Sequence, residues 1–145
     1  MIEYALAPLH WMDFVGPIIP AGIFIVIMSF IAEPTRQRFN AIFVAGAGAV
    51  YLSNGGLGAG EFIFTAVITL LAYKGLNNYR YIGIAWLLHT GWDLLHHFYG
   101  NPIFPLSVNS SMGCAICDLV LGIWFLLGAP SVIAWWYQKP ANTSK

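Results

Sequence analysis

The chain has 145 residues, 59% of them hydrophobic and 8% charged, with zero formal net charge and a mean hydropathy of +0.71. Soluble domains carry about 25% charged residues, so this composition predicts a single integral membrane domain. Zero net charge and six scattered basic side chains exclude a nucleic-acid-binding surface and a polybasic lipid patch.

Five apolar segments follow in chain order: Phe14–Ile31, Phe39–Leu52, Gly58–Tyr73, Tyr79–Tyr99 and Gly113–Trp136. The first begins after Glu3, His10 and Asp13, without a basic leader or a small-residue cleavage pattern, so it is expected to be a retained span with no soluble domain appended. The second and third are near or below the length of about 17 residues that a spanning helix needs. Ser53-Asn54-Gly55-Gly56-Leu57-Gly58 between them signals a turn, which predicts a helical hairpin and leaves a re-entrant pair open. Pro17 and Pro20 near the start of the first segment, and Pro130 inside the fifth, predict kinks or helix starts. The small residues of Ala45-Gly46-Ala47-Gly48-Ala49 and Gly56, Gly58 and Gly60 allow close helix packing, within the bundle or in a homo-oligomer.

Every Lys and Arg falls in the first connection (Arg36, Arg38), the third (Lys74, Arg80) or the C-terminal tail (Lys139, Lys145). Five spans put these three places on one side, which the positive-inside rule makes cytoplasmic, with the N-terminus out and the C-terminus in. Trp11, Phe14, Phe98 and Tyr99 on one boundary, and Tyr73, Tyr79, Trp135 and Trp136 on the other, fit interfacial aromatic belts.

The strings Glu33-Pro-Thr-Arg-Gln-Arg-Phe-Asn-Ala, Leu88-His-Thr-Gly-Trp-Asp-Leu-Leu-His-His, Tyr99-Gly-Asn-Pro-Ile and Gly113-Cys-Ala-Ile-Cys-Asp resemble those of a small bacterial membrane family, domain of unknown function 6010. The resemblance covers nearly the whole chain. It implies an integral protein of the bacterial inner (plasma) membrane and assigns no catalytic residue, so function has to be read from the side chains.

The fourth segment concentrates ionisable groups at His89, Asp93, His96 and His97. Each such group costs roughly 2.5–3.5 kcal/mol at a membrane helix centre, so several on one helix point to chemistry or ion handling. At about 100° per residue, His89, Asp93 and His96 share one helix face and His97 lies at its edge. Imidazole and carboxylate are the ligands of Zn, Fe, Mn and Cu sites, so this spacing points to a divalent metal, Zn first, with Fe or Cu as alternatives. In the five-span topology Asp93 lies roughly 8 Å below the outer end of its helix. Asp118 falls at a similar depth, and Glu61 is level with His96 or slightly above it. The resulting reading is a metal held by His89, His96 or His97 with Asp93 or Asp118. Glu61 is then the general base on a metal-bound water, and Asp118 a second catalytic carboxylate.

That site would serve a hydrolase acting on a lipidic substrate in the outer leaflet, with membrane lipid as its partner. The alternatives are a non-enzymatic metal or proton transport module, histidine–carboxylate hydrogen bonds that only fix packing, and an accessory subunit of a membrane complex. Asp93-x-x-His96-His97 has a superficial likeness to the histidine boxes of membrane di-iron oxygenases, which need more histidines than the four present. Cys114 and Cys117, placed at the start of the fifth helix, form a Cys-x-x-Cys pair read as a local disulfide, packed thiols, a thiol–disulfide or quinone-linked redox site, or half of a metal site.

Overall fold

The computed structural model describes residues 8–53, 55–104 and 107–134, and among them it is all-helical with no strand. Helix α1 (Trp11–Val15) starts where the Asp13 carboxylate accepts the His10 backbone N–H at 2.8 Å. Pro17 then opens α2 (Ile18–Ser29). The rod Trp11–Ser29 is the one helix among the described residues long and apolar enough to cross a membrane.

Helix α3 (Thr35–Gly48) starts four residues before its apolar segment and continues as a 3-10 turn, Val50–Ser53. Arg36 is therefore helical and buried, where a loop residue was expected. Gly58, at φ 62°, turns the chain into α4 (Ala59–Gly75), a conformation that L side chains rarely adopt. Helix α5 (Tyr79–Tyr99) is capped by the Asn78 side chain, which accepts the Arg80 N–H at 2.9 Å.

Helix α6 runs Ser110–Leu126 and differs from expectation at both ends. Left-handed backbone at Gly128 and Ala129, followed by Pro130, stops it short of the apolar segment's end. It also starts before Cys114, so both cysteines sit beyond its first turn, where the helix dipole has largely faded. Trp135, Trp136, Lys139, Lys145, Asn54 and Glu3 lie outside the described residues.

Helix α5 is the centre of the bundle and packs most extensively on α6, with α4 and α3 on its other sides and α2 against α6. The α5–α6 approach depends on Gly122, where a Cβ would meet Leu87 Cδ2 at 2.8 Å and the Gly83 carbonyl oxygen at 3.3 Å. The interior mixes apolar residues such as Val44, Ile68, Ile82 and Phe125 with buried Arg36, Asn40, Glu61, His89, Asp93, His96, His97, Ser111 and Asp118. Large apolar side chains face outward instead, among them Phe30, Ile42, Phe62, Leu70 and Tyr99.

At one end of the bundle, Arg36 Nε donates to Glu33 Oε1 at 2.8 Å and the Tyr79 hydroxyl donates to the same oxygen at 2.7 Å. Tyr79, expected in an aromatic belt, thus ties α3 to α5. Burial acts to raise the Glu33 carboxyl, but the hydrogen bonds from Tyr79 and Arg36 outweigh it and hold Glu33 below its ordinary value. Burial likewise acts to lower Arg36, and the Tyr79 and Glu33 contacts reverse that and raise it.

Candidate functional site

The buried face of α5 carries Trp86, His89, Asp93, His96 and His97 inward, because the i, i+3, i+4 spacing returns each to the same side of the helix. Neighbouring helices sort them into separate environments. Asp93 neighbours Asp118, carried by α6, closely enough for the two carboxyl groups to act on one another. The Tyr51 hydroxyl donates to Asp93 Oδ1 at 2.7 Å, and Ser111 Oγ lies 3.4 Å from that hydroxyl. Asp93 Oδ2 is buried and lacks a well-directed donor. Cys114 and Cys117 are free, half-buried thiols within electrostatic reach of both carboxyls.

A second pair sits beside the first. His96 Nε2 contacts Glu61 Oε1 at 2.8 Å, and His96 Nδ1 contacts the Trp92 carbonyl oxygen at 2.9 Å. A carbonyl can only accept, so Nδ1 carries a proton, and the Nε2–Oε1 contact holds one further proton between imidazole and carboxyl. The Leu57 N–H at 3.1 Å and the Trp92 indole N–H at 3.2 Å also donate to Glu61. Glu61 was expected as a free base and is instead fully engaged. The His96 ring stacks on Tyr51 with centroids 3.5 Å apart, so the two pairs form one assembly.

Gly55 closes that assembly. A Cβ at Gly55 would collide with the Glu61 carboxyl and come within 2.8 Å of His96 Nε2, so the glycine-rich turn serves as a lid fitted over the pair.

His89 and His97 are placed elsewhere. His89 is 3% exposed, edge-on to Phe64 at 4.9 Å and tilted against Trp86 at 5.6 Å. Neither of its nitrogens makes a hydrogen bond of good geometry. His97 packs against Phe98 and senses Asp13, which accepts from Asn109 Nδ2 at 3.2 Å. Of the expected metal ligands, the fold brings Asp93 and Asp118 together, and leaves His89, His96 and His97 in three different surroundings. Among the described residues, no three His, Cys, Asp or Glu side chains converge to hold a metal ion.

Sequence reasoning gave Tyr51, Ser111, Trp92 and Gly55 no role in the site. One signal could have found Tyr51: its segment runs toward the same end as Asp93, and Tyr51 is the last aromatic before the turn.

An apolar groove of about 700 Å³ opens on the outside of α4 and α5, lined by Ile63, Phe64, Val67, Leu88, Trp92 and Leu95 with Gly60 and Gly91. Its inner wall is the Phe64–Trp92 stack, with centroids 4.4 Å apart, and Trp92 joins that wall to Glu61.

A family model described as a family of unknown function (DUF6010) matches residues 12–131, which include every site residue named above. No curated protein and no solved structure matches the chain.

Proposed function

The chain belongs to the DUF6010 family, a membership that assigns no activity, and we propose from its buried acid groups that it is a five-span membrane hydrolase acting on a lipid-borne substrate. The observation that carries this reading is the contact between the Asp93 and Asp118 carboxyls inside the bundle. Two carboxylates cannot both stay charged at such range in a low-dielectric interior, so the pair shares one proton. A carboxyl dyad with one proton is a general acid and a general base held together. The carboxylate takes a proton from water, the water oxygen attacks the carbonyl carbon of a lipid ester or amide, and the protonated partner gives its proton to the carbonyl oxygen. Collapse of the tetrahedral intermediate expels the leaving group, which takes its proton from the carboxyl that activated the water, while the other carboxylate takes a hydroxyl proton of the intermediate and the one-proton pair is restored. Tyr51 and the stacked His96–Glu61 pair act as positioning residues that fix Asp93.

The bilayer reading has three supports. Large apolar side chains cover much of the outside of the described bundle, while Glu61, His89, Asp93, His96, His97 and Asp118 are buried within it. Trp11–Ser29 meets the length and composition of a span. The Arg36–Glu33–Tyr79 contact ties the starts of α3 and α5, where Arg38, Lys74 and Arg80 also gather, to one end, which suits a cytoplasmic face under the positive-inside rule. Residues Gly46 and Gly91, where a Cβ would meet nothing within 4 Å, leave room for a second copy to pack against the bundle. The groove against Trp92 suits an acyl chain, with the inner (plasma) membrane of a bacterium as its setting.

The test is lipid turnover in vesicles of defined phospholipid, glycolipid and lipoprotein-peptide composition, followed by mass spectrometry. Asp93→Asn and Asp118→Asn should each reduce turnover by the roughly 10²–10⁴-fold typical of lost acid–base catalysis. Wild-type turnover by a folded Asp118→Asn protein would sink the dyad mechanism.

A divalent metal, Zn before Fe or Cu, is the second reading, favoured by the unpartnered Asp93 Oδ2 beside Asp118. Both carboxylates would then hold the ion, which would supply an activated water. Elemental analysis separates the two: stoichiometric metal that disappears in Asp93→Asn selects the metal, and metal-free active protein selects the shared proton.

A further inference from the structure

Helices α3 and α5 run side by side in one direction with a fixed register. Arg36 bonds Tyr79, Phe43 lies against Trp86 with centroids 6.0 Å apart, the Ala47 backbone lies by His89, and Tyr51 bonds Asp93. This places Asn40 level with Ile82 and Gly83, one turn before Trp86. Along the seam, Asn40 Oδ1, Trp86 Nε1 and Asp93 Oδ2 are buried without a hydrogen-bond partner, and the His89 nitrogens make no well-aligned bond, with the Ala47 and Ala85 backbone as their polar neighbours. Their residues are at most 4% exposed. Buried polar atoms left unpaired by protein are as a rule satisfied by internal water, and these follow one another at about one helical turn, near 5.4 Å. A single bridging water making two ordinary hydrogen bonds spans that distance.

We propose that the α3–α5 seam holds a file of water molecules that carries protons between the Asp93–Asp118 pair and the Glu33–Arg36–Tyr79 end of the bundle. The proposal rests on the reading of that pair as a proton-exchanging centre in a membrane-spanning bundle. His89 is the relay member. It takes a proton from a water on one ring nitrogen and releases the proton of the other nitrogen to the next water, then returns to its first tautomer by ring rotation or by the reverse transfer. Asn40 Oδ1 accepts from a water and Trp86 Nε1 donates to one, so both orient the file without exchanging protons themselves. At its far end Asn40 Nδ2 donates to the Arg36 carbonyl oxygen at 2.8 Å, which brings the file to the polar end of the bundle. A hydrolytic centre releases an acid at each turnover, and the file gives its proton a route to the opposite face from the groove.

Proton uptake into proteoliposomes containing a pH-sensitive dye, driven by a valinomycin potassium potential, tests the file. Wild-type protein should conduct protons above protein-free vesicles. His89→Phe, which suits the existing aromatic contacts with Phe64 and Trp86 but carries no nitrogen, should lower the flux at least tenfold. Trp86→Phe, a smaller change, should lower it severalfold, so that a misfolded His89 variant does not decide the matter. Absence of wild-type flux, or unchanged flux in both folded variants, overturns the file. Flux lost in Asp93→Asn but unchanged in His89→Phe removes the file and leaves the carboxyl pair standing. Flux lost in His89→Phe but unchanged in Asp93→Asn and Asp118→Asn supports a file along the seam and overturns the pair as its terminus.

Discussion

Tyr51 and Asp93 lie 42 residues apart in the chain and meet through a 2.7 Å hydrogen bond that joins the end of the α3 rod to the middle of α5. The same tyrosine ring stacks on His96. Tyr51→Phe keeps the stack and deletes the donor. The loss of a buried hydrogen bond to a carboxyl should destabilise the protein by about 1.5–3 kcal/mol. Chemical unfolding in detergent measures this directly. Ser111→Ala, at 3.4 Å from the hydroxyl, should cost far less, and equal losses would show that the Asp93 bond is not the dominant contact.

Gly55→Ala should disrupt the Glu61–His96 pair, because the new methyl occupies the space of the Glu61 carboxyl. We expect a loss of about 1–3 kcal/mol, the range for overpacking a tight interior. Gly46→Ala is the control. Nothing lies within 4 Å of its Cβ, and replacing a mid-helix glycine should stabilise by roughly 0.5–1 kcal/mol. The unfolding midpoints of the two variants should move in opposite directions, and a common direction contradicts the steric argument.

Glu33 gives a pH-dependent contribution with a definite sign. Its carboxyl is held below the ordinary value of 4.5 in the fold, so the unfolded chain binds its proton first as pH falls. The stabilisation is present above that pH and disappears as the pH drops through the folded value. Melting temperatures of wild type and Glu33→Gln should therefore differ at pH 7 and converge in acid, once the pH has fallen below the folded carboxyl's lowered value. A difference that persists unchanged into acid would assign the effect to packing and not to the Arg36–Tyr79 contacts.

The orientation is tested by labelling. In a background of Cys114→Ser and Cys117→Ser, a cysteine introduced at Leu57 or Asn109 should react with an impermeant thiol reagent from outside intact cells. One at Asn77 should react only after the membrane is opened. The reverse pattern inverts the molecule and puts the carboxyl pair in the cytoplasmic half.

Much of the site was legible before any tertiary contact was known. The period of an α-helix places His89, Asp93 and His96 on one face, because side-chain direction along a helix depends only on residue spacing. Depth along the helix was also readable. Alternating directions of successive segments, at 1.5 Å per residue, put Asp118 level with Asp93 and Glu61 level with His96. Those are the two carboxyl and imidazole–carboxyl contacts observed. Helix ends were less legible, as α6 illustrates. Hydropathy does not register the left-handed Gly128 and Ala129 that stop it, since an apolar stretch reads the same whether or not its backbone is helical.

What the sequence by itself determined is which side chains are buried together at which depth, since periodicity and rise per residue are local properties of the backbone. Which of them touch was decided only by the tertiary structure. Residues on one helix face are separated by turns of about 5.4 Å and cannot all reach one point. The neighbour that approaches each turn selects its partner: α6 brings Asp118 to Asp93, the start of α4 brings Glu61 to His96, and the end of the α3 rod brings Tyr51 between them. His89 meets aromatic rings and the Ala47 and Ala85 backbone there, and its nitrogens make no well-aligned hydrogen bond.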